Sequence, residues 1–432
     1  MHNRNWAVFL CAAVAGFGQT LPAPQTLTLA QAVAIALQNH PRIAAAQNLE
    51  LASGQRVVEA RSAYYPVVTA DITGSQANSL SRIGAGFLAT SSLFNREGEG
   101  FTASQLITDS GRTKNLVASS TLQAQAATFS TTATRYDIAL GVNRAYYAVL
   151  RAQALVKVAE ETVKTRQTLV DQITALTNAQ LKSLVDLSFV KVNLSEAQLL
   201  LIRAQDNLKQ SFADLARAVG QDTSPAEYTL VENPSKPALP PESGPLVGEA
   251  IQNRPELADL RLRYEASQKF ETAEHDLKKP NVTLVAVGGA LPYIDQNPRV
   301  APEGYEGIAV NVEIPIFNGH LFSAREQAAH FESLAFSQRL RDLRQQVEHD
   351  VKTAWLTAQN AYQRIPVTAE LVTQSQLSLT LATGRYNLGL ASIVEITQAQ
   401  LDLTQAQIEN VTAGYDYQSA WAALQYTIGA LR

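Results

Sequence analysis

The chain has 432 residues and a formal net charge of -4, and only 17% of its residues are charged, against roughly 25% in ordinary soluble domains. No Lys/Arg cluster is dense enough to suggest a nucleic-acid partner, and a single cysteine leaves disulfides no part in stability. Length alone would suggest about three ordinary domains, but the periodicity of the sequence gives a different organisation.

The N-terminus, "MHNRNWAVFLCAAVAGFGQTLPAP", has a short basic start, an apolar run from Trp6 to about Val14, and then small residues. This reads as a secretory signal peptide over residues 1–23, cleaved between Ala15 and Ala23. Cys11 follows Leu10, too large a residue for a good lipobox, so no lipid anchor is expected and the mature chain is cysteine-free. No later apolar run approaches the ~18 residues of a membrane helix. The protein is therefore either soluble outside the cytoplasm or crosses a membrane as a β-barrel.

In chain order, the first half predicts helices over 29–39 and 42–63, strands over 64–76 and 99–109, a very long helix over 111–178 and a returning helix over 184–219. The first strand alternates: Val68, Ala70 and Ile72 on one face, Thr69, Asp71 and Thr73 on the other, the period of a two-faced strand. In the long helix Ile138, Val142, Ala145, Val149, Ala152 and Val156 follow the spacing of a coiled-coil seam. A Pro-rich piece, 223–245, reads as a surface connector.

The second half then repeats the first. Pro41 returns as Pro255, Pro66 as Pro280, Gly111 as Gly319, Val142 as Val351 and Gly220 as Gly429. Its elements are helices over 246–253 and 256–278, strands over 280–291 and 304–317, a long helix over 320–386 and a returning helix over 393–429. The two structural repeats are thus 24–222 and 246–432. They contain β-hairpins at 64–109 and 280–317 and long helical hairpins at 111–220 and 319–430. Gly111 and Gly319 mark the strand-to-helix junctions.

At 1.5 Å per residue each long helix is about 100 Å, and its returning helix plus the shorter preceding one, stacked end to end, match that length. Four strands per chain cannot close a barrel, and open edges invite association. Strands of this length suit a membrane barrel. Two chains would give eight strands, filled by their own side chains, and three would give twelve, with room for a lumen.

This order of elements, with "NRPEL" at 253–257, "PIFNGH" at the strand-to-helix junction and "RYNLGLASIVEITQAQLDL" at 385–403, resembles the TolC-like outer-membrane efflux proteins. The resemblance covers essentially the whole mature chain. It implies a mainly α fold with a membrane β-barrel: a homotrimer with a twelve-stranded barrel in the lipid of the Gram-negative outer membrane and a twelve-helix periplasmic tunnel. It also implies a tip docked on a periplasmic adaptor (membrane fusion) protein and an inner-membrane pump or ABC transporter. The rival reading is a soluble periplasmic coiled-coil adaptor or scaffold, which leaves the two alternating hairpins unexplained. The hairpin loops 77–98 and 292–303, rich in Gly, Ser, Asn or Pro, are expected outside the cell.

No constellation for catalysis, metal or cofactor binding stands out. The six histidines lack paired spacing, there is no GxSxG or phosphate loop, and no enzymatic activity is expected. The glycines of "GGA" at 288–290 need only a bend or small-residue explanation. At the tip, Ser183 with Asp186 and Ser392 with Glu395 fit capping boxes that open the returning helices. The resemblance adds a gate: Tyr386 falls on a tyrosine that ties neighbouring helix pairs, Asp186 on its acidic partner, and Glu395 on the first gate acid. Gln398 stands at the second gate position, Ala391 where an arginine is sometimes found, and Gln180 where glycine is usual. Leu181, Lys182 and Ser183, with Gly389, Leu390, Ala391 and Ser392, form the tip turns that the resemblance assigns to adaptor docking. Pro366, opposite Lys157 in the repeat, is expected to kink the second long helix.

Overall fold

The structure is a computed structural model and describes residues 26–76, 96–221, 228–232, 242–294 and 304–431. The expected signal peptide and most of the two hairpin loops lie outside the described residues. Two helices of 67 residues, α3 (Arg112–Asn178) and α7 (Leu321–Asn387), run the length of the helical part, about 100 Å each. Along α3 lie α2 (Pro41–Ser62) and α4 (Leu184–Val219), and along α7 lie α6 (Pro255–His275) and α8 (Ile393–Thr427). Short helices α1 (Leu29–Asn39) and α5 (Gly244–Asn253) pack near the middle.

These helices form one layer four elements wide. Nearest the sheet the neighbours run α2–α3–α6–α7, and towards the far end α4–α3–α8–α7. The sheet keeps the same order. Strands β2 (Val67–Ser75), β3 (Arg96–Thr108), β5 (Asn281–Ile294) and β6 (Gly304–Glu313) pair antiparallel as β2–β3–β5–β6. Each strand therefore continues the helix it adjoins in the chain, and the described residues form a ribbon four elements wide with two open edges.

The sheet has two chemically distinct faces. Directly paired residues share a face, so the register places Val68, Ala70 and Ile72 with Phe101, Ala103, Leu284, Ala286, Ile308, Val310 and Val312. Thr69, Asp71, Thr102, Ser104, Thr283 and Asn311 share the other face with several glycines and with Val67, Val285 and Val287. The apolar face is uncovered: Ile72 is 87% exposed and Ile308 74%. Gly288 lies under an aromatic ring, since a Cβ there would meet Phe101 Cζ at 2.8 Å; at Gly289 one would meet the Tyr305 hydroxyl at 2.6 Å. The small-residue reading of this stretch is the one the structure gives.

Strand β6 stops at Glu313, short of the expected end at 317. Its partner β5 begins at Asn281, paired with Glu313, so Ile314–Phe317 has no strand beside it, and Pro315 has no N–H to donate. The first strand likewise starts at Val67, after Tyr64 and Tyr65 close a turn on the end of α2.

The end-to-end joints are built on glycine. Gly220, at φ +79°, ends α4 against His40, whose Cα would lie 2.9 Å from a Cβ at that position. Gly429, at φ +74°, ends α8 against Asn253, at 3.0 Å. Apolar clusters flank both joints, one including Ala32, Ile43, Val142, Tyr146 and Leu215, the other Ala250, Leu257, Val351, Tyr417 and Leu424. The connector is more than a surface link. Its residues Thr229–Leu230 (β4) pair in parallel with Thr26–Leu27 (β1), and both leucines are buried. The Tyr146 hydroxyl accepts from the Val231 N–H at 3.1 Å and lies 2.9 Å from the Leu27 carbonyl oxygen. A two-residue strand carries no periodicity, so the sequence could not announce it.

Just below the sheet, α6 ends in a charged knot. Glu274, 1% exposed, accepts from Arg325 Nε at 2.6 Å and Nη2 at 3.0 Å, with Arg112 Nη2 at 3.8 Å. Asp276 accepts from Asn115 at 3.0 Å and Lys279 at 2.7 Å. Helix α6 is thereby fastened to α3 on one side and α7 on the other.

Candidate functional site

The end of the ribbon opposite the sheet consists of two turns, Ala179–Ser183 and Leu388–Ser392. Both close on the same backbone motif. The Gln180 N–H bonds the Thr177 carbonyl at 3.0 Å and the Leu181 N–H the Leu176 carbonyl at 2.9 Å; Gly389 and Leu390 repeat this on Tyr386 and Arg385 at 3.0 and 2.8 Å. The motif needs a left-handed residue. Gly389 takes it at φ +76°, whereas in the first half Gln180 takes it at φ +58°.

The returning helices start differently from expectation. Ser183 Oγ accepts from the Val185 N–H at 3.0 Å, but Asp186 does not close a box with it. Ser392 makes no side-chain cap at all. Glu395 instead pairs with Arg385 Nε at 3.1 Å across the turn, and Arg385 Nη2 also donates to the Leu390 carbonyl at 3.4 Å. Paired with that guanidinium, Glu395 is not available to cap the helix.

Beneath the turns a shared apolar cluster joins the two hairpins: Val170, Ile173 and Val190 from the first, Ala382, Tyr386, Ile393, Ile396 and Ala399 from the second. Tyr386 is 5% exposed, and its buried hydroxyl has no hydrogen-bond partner among the described residues. Lys182 Nζ lies 4.0 Å from the centre of its ring, within cation–π range. The expected Tyr386–Asp186 hydrogen bond is thus not made within the chain: the first-half turn presents lysine to the tyrosine, and Asp186 is half-buried. Gln398 donates to Asp402 on its own helix at 2.8 Å. Leu181, Gly389 and Leu390 are exposed and Ala391 packs on the apolar cluster.

Two partners escaped the sequence reading. The sequence gives Lys182 a place only as a turn residue and singles out Ala391 rather than Arg385. The signal for Arg385 was present: it precedes the left-handed glycine by four residues and Glu395 follows it by six, which places both on facing ends of one hairpin. At the junctions near the sheet, Gly111 stands at φ +101° beside Asp109, whose carboxylate accepts from the Thr113 N–H at 2.6 Å. Gly319 stands at φ +63° and is followed by His320 at φ +69°.

A sheet with one uncovered apolar face thus stands on a helical ribbon about 100 Å long. The chain belongs to the outer membrane efflux protein family, which it matches over residues 32–221 and 246–430, and it is a protein of the Gram-negative outer membrane. It is 20% identical to the outer membrane protein TolC of Salmonella enteritidis over 304 residues, 68% of this chain and 61% of that protein. With the alkaline protease secretion protein AprF of Pseudomonas aeruginosa it shares 26% identity over 254 residues, 56% of this chain and 50% of that one. The chain thus spans less than two thirds of the length of these relatives. The crystal structure of the outer membrane protein VceC from Vibrio cholerae superposes with a TM-score of 0.79 at 20% identity, covering 93% of this chain and 96% of VceC.

Proposed function

We propose that this chain is the outer-membrane channel of a tripartite efflux or type I secretion system, passing substrate from an inner-membrane pump or ABC transporter across the periplasm and outer membrane. Three copies close the ribbon into a twelve-stranded barrel above a twelve-helix periplasmic tunnel. The observation that carries this reading is the unbroken four-element order from sheet to tip, with both edges left open. In a bilayer every strand edge must be paired, so a membrane sheet has to close, and the exposed apolar face supplies the surface that lipid requires. The edge helices support the same closure. On one edge α4 exposes Val185, Phe189, Val192, Leu199 and Ile202, and on the other α7 exposes Leu356, Val367 and Leu371. Unlike edges that meet head to tail generate a ring.

The tip is the periplasmic entrance in this reading. Its turns, Leu181–Ser183 and Gly389–Ser392, dock the adaptor, and Asp186, Glu395 and Gln398 line the opening. Tyr386 holds the two helical hairpins together through Lys182 rather than through Asp186.

Light scattering of the detergent-purified protein tests the assembly and is expected to give three times the mature chain mass, with ion conduction in a planar bilayer. A monodisperse monomer that conducts nothing would overturn the reading. For the gate, Lys182→Met should raise single-channel conductance with the trimer intact, while Asp186→Asn should not. If only the Asp186 variant opens the channel, the tie runs through that acid in the assembly.

A further inference from the structure

Arg166 occupies a place in α3 that the seam does not provide for. The buried positions around it are Ala159, Thr162, Val170 and Ile173, all small or apolar. Its counterpart in the repeat is the buried Ser375 of α7. Arg166 is nevertheless only 5% exposed. Its Nη1 donates to Asn193 Oδ1 at 3.0 Å, in an amide oriented by the bond from its own Nδ2 to the Phe189 carbonyl at 2.9 Å. Among the described residues that is its one hydrogen bond, and Nε is buried without a partner. Among the described residues no carboxylate lies within the 4.0 Å of an ion pair. Burial disfavours the charge on this guanidinium, and the field of Glu196 opposes that only in part.

Arg166 lines a cavity of about 290 Å³ between α3, α7 and α8, together with Gln400, Thr165, Gln376 and Gln407. Gln400 is 7% exposed, and its Oε1 is likewise buried with no partner. Glu161 also borders the space, but Lys164 sits 3.9 Å from its carboxylate. A buried cation with free donors therefore adjoins an open volume and an unsatisfied amide, where the two helical hairpins meet. Unpaired buried charge is costly, and an arginine fork matches the oxygen pair of a carboxylate or phosphate.

We propose that this cavity is a binding site for a small free oxyanion, a carboxylate or phosphate, held by Arg166 and by the Gln400 side chain. The Gln400 amide borders the same cavity and carries an NH₂ group, so both residues can donate to one anion. The bound anion bridges α3 to α8 and ties the two hairpins well above the tip. This goes beyond the channel reading and does not depend on it.

The test is thermal unfolding and titration calorimetry of the purified protein with sodium acetate and sodium phosphate, at constant ionic strength against sodium chloride. The solution contains no other polypeptide, so a docked acidic side chain cannot mimic the response. The wild type should show a saturable rise in Tm and a binding heat with at least one of the two anions. Arg166→Gln should fold, since it removes an unpaired charge, and should weaken binding about thirtyfold or more. Gln400→Leu, which leaves the guanidinium in place, should weaken binding about tenfold. A wild type without heat or Tm rise beyond chloride overturns the proposal, as does an undiminished response in either variant.

Discussion

The two halves of the chain follow one backbone plan and fasten it by different means. At the joints, both halves end the returning helix on a left-handed glycine set against the next corner. The caps at those corners differ: His40 Nδ1 accepts from the Arg42 N–H at 3.1 Å to start α2, whereas Arg254 makes no cap for α6 and pairs with Glu256 and Asp350 at 3.3 and 3.7 Å. Near the sheet, the second half has the Glu274 and Asp276 knot where the first has Ala60 and Ser62. Position in the ribbon accounts for this. Helix α6 is interior, with α3 and α7 on its two sides, so one buried carboxylate can reach both; α2 is an edge of the layer, with α3 on one side of it. Duplication copied the path, and the place of each copy in the layer set its polar contacts.

The sharpest way to break the comparison is at the knot. Glu274→Ala should destabilise the protein by about 3 kcal/mol, as loss of one partner of a buried pair does, while Ala60→Gly in the first half should cost about 1 kcal/mol. Chemical denaturation of both variants checks the contrast. Equal losses would mean that the knot adds nothing to α6. The glycine joints should instead behave alike. Gly220→Ala and Gly429→Ala each impose a left-handed alanine, about 1–2 kcal/mol, plus a close approach to His40 or Asn253, so each should lose about 2 kcal/mol or more in the same assay.

A smaller effect is expected at the tip, with opposite signs in the two halves. Gln180→Gly relieves a left-handed glutamine and should stabilise by about 1 kcal/mol, and Gly389→Gln should cost about the same. Differential scanning calorimetry resolves shifts of that size. The smallest expected effect is one of pH. Burial, and then the charge of Arg42, pull the His40 imidazole below its ordinary 6.5. The unfolded chain therefore takes up the proton first as pH falls. The contribution of His40 is complete above 6.5, declines as pH falls from 6.5 through the folded value, and levels off below it. Hydrogen exchange in the first turn of α2 should quicken over that window and be flattened by His40→Asn, with no matching change attributable to Arg254 in α6.

Much of the fold was legible because long periodic elements write themselves into sequence. The α3 and α4 bounds came out within a residue of expectation, and seam residues such as Ile138, Val142, Val347 and Val351 are buried as their spacing required. Pro366 lies on the exposed side of α7, which continues through it as one helix from Leu321 to Asn387. The site was less legible than the fold. Serine and acid at the right spacing suggested capping boxes at both turns, yet Arg385 draws Glu395 away and Ser183 caps without Asp186. Neither β4 nor the Lys182–Tyr386 contact has a local signature.

By itself the sequence determined the duplication, the lengths of the long helices, the two-faced strands and the family, since each is a matter of period or order along the chain. The tertiary structure alone decided that both halves lie in one continuous ribbon, with β3 beside β5 and α3 beside both α6 and α8. It alone decided which buried polar groups find partners: Glu274 meets two arginines and Tyr386 a lysine over its ring, while Arg166 has a single amide and keeps an unpartnered Nε. The reason is physical. Periodicity specifies which face of an element is buried, whereas the partner of a buried polar group is set by the neighbour that packing brings within about 3 Å, and that neighbour can lie anywhere in the chain.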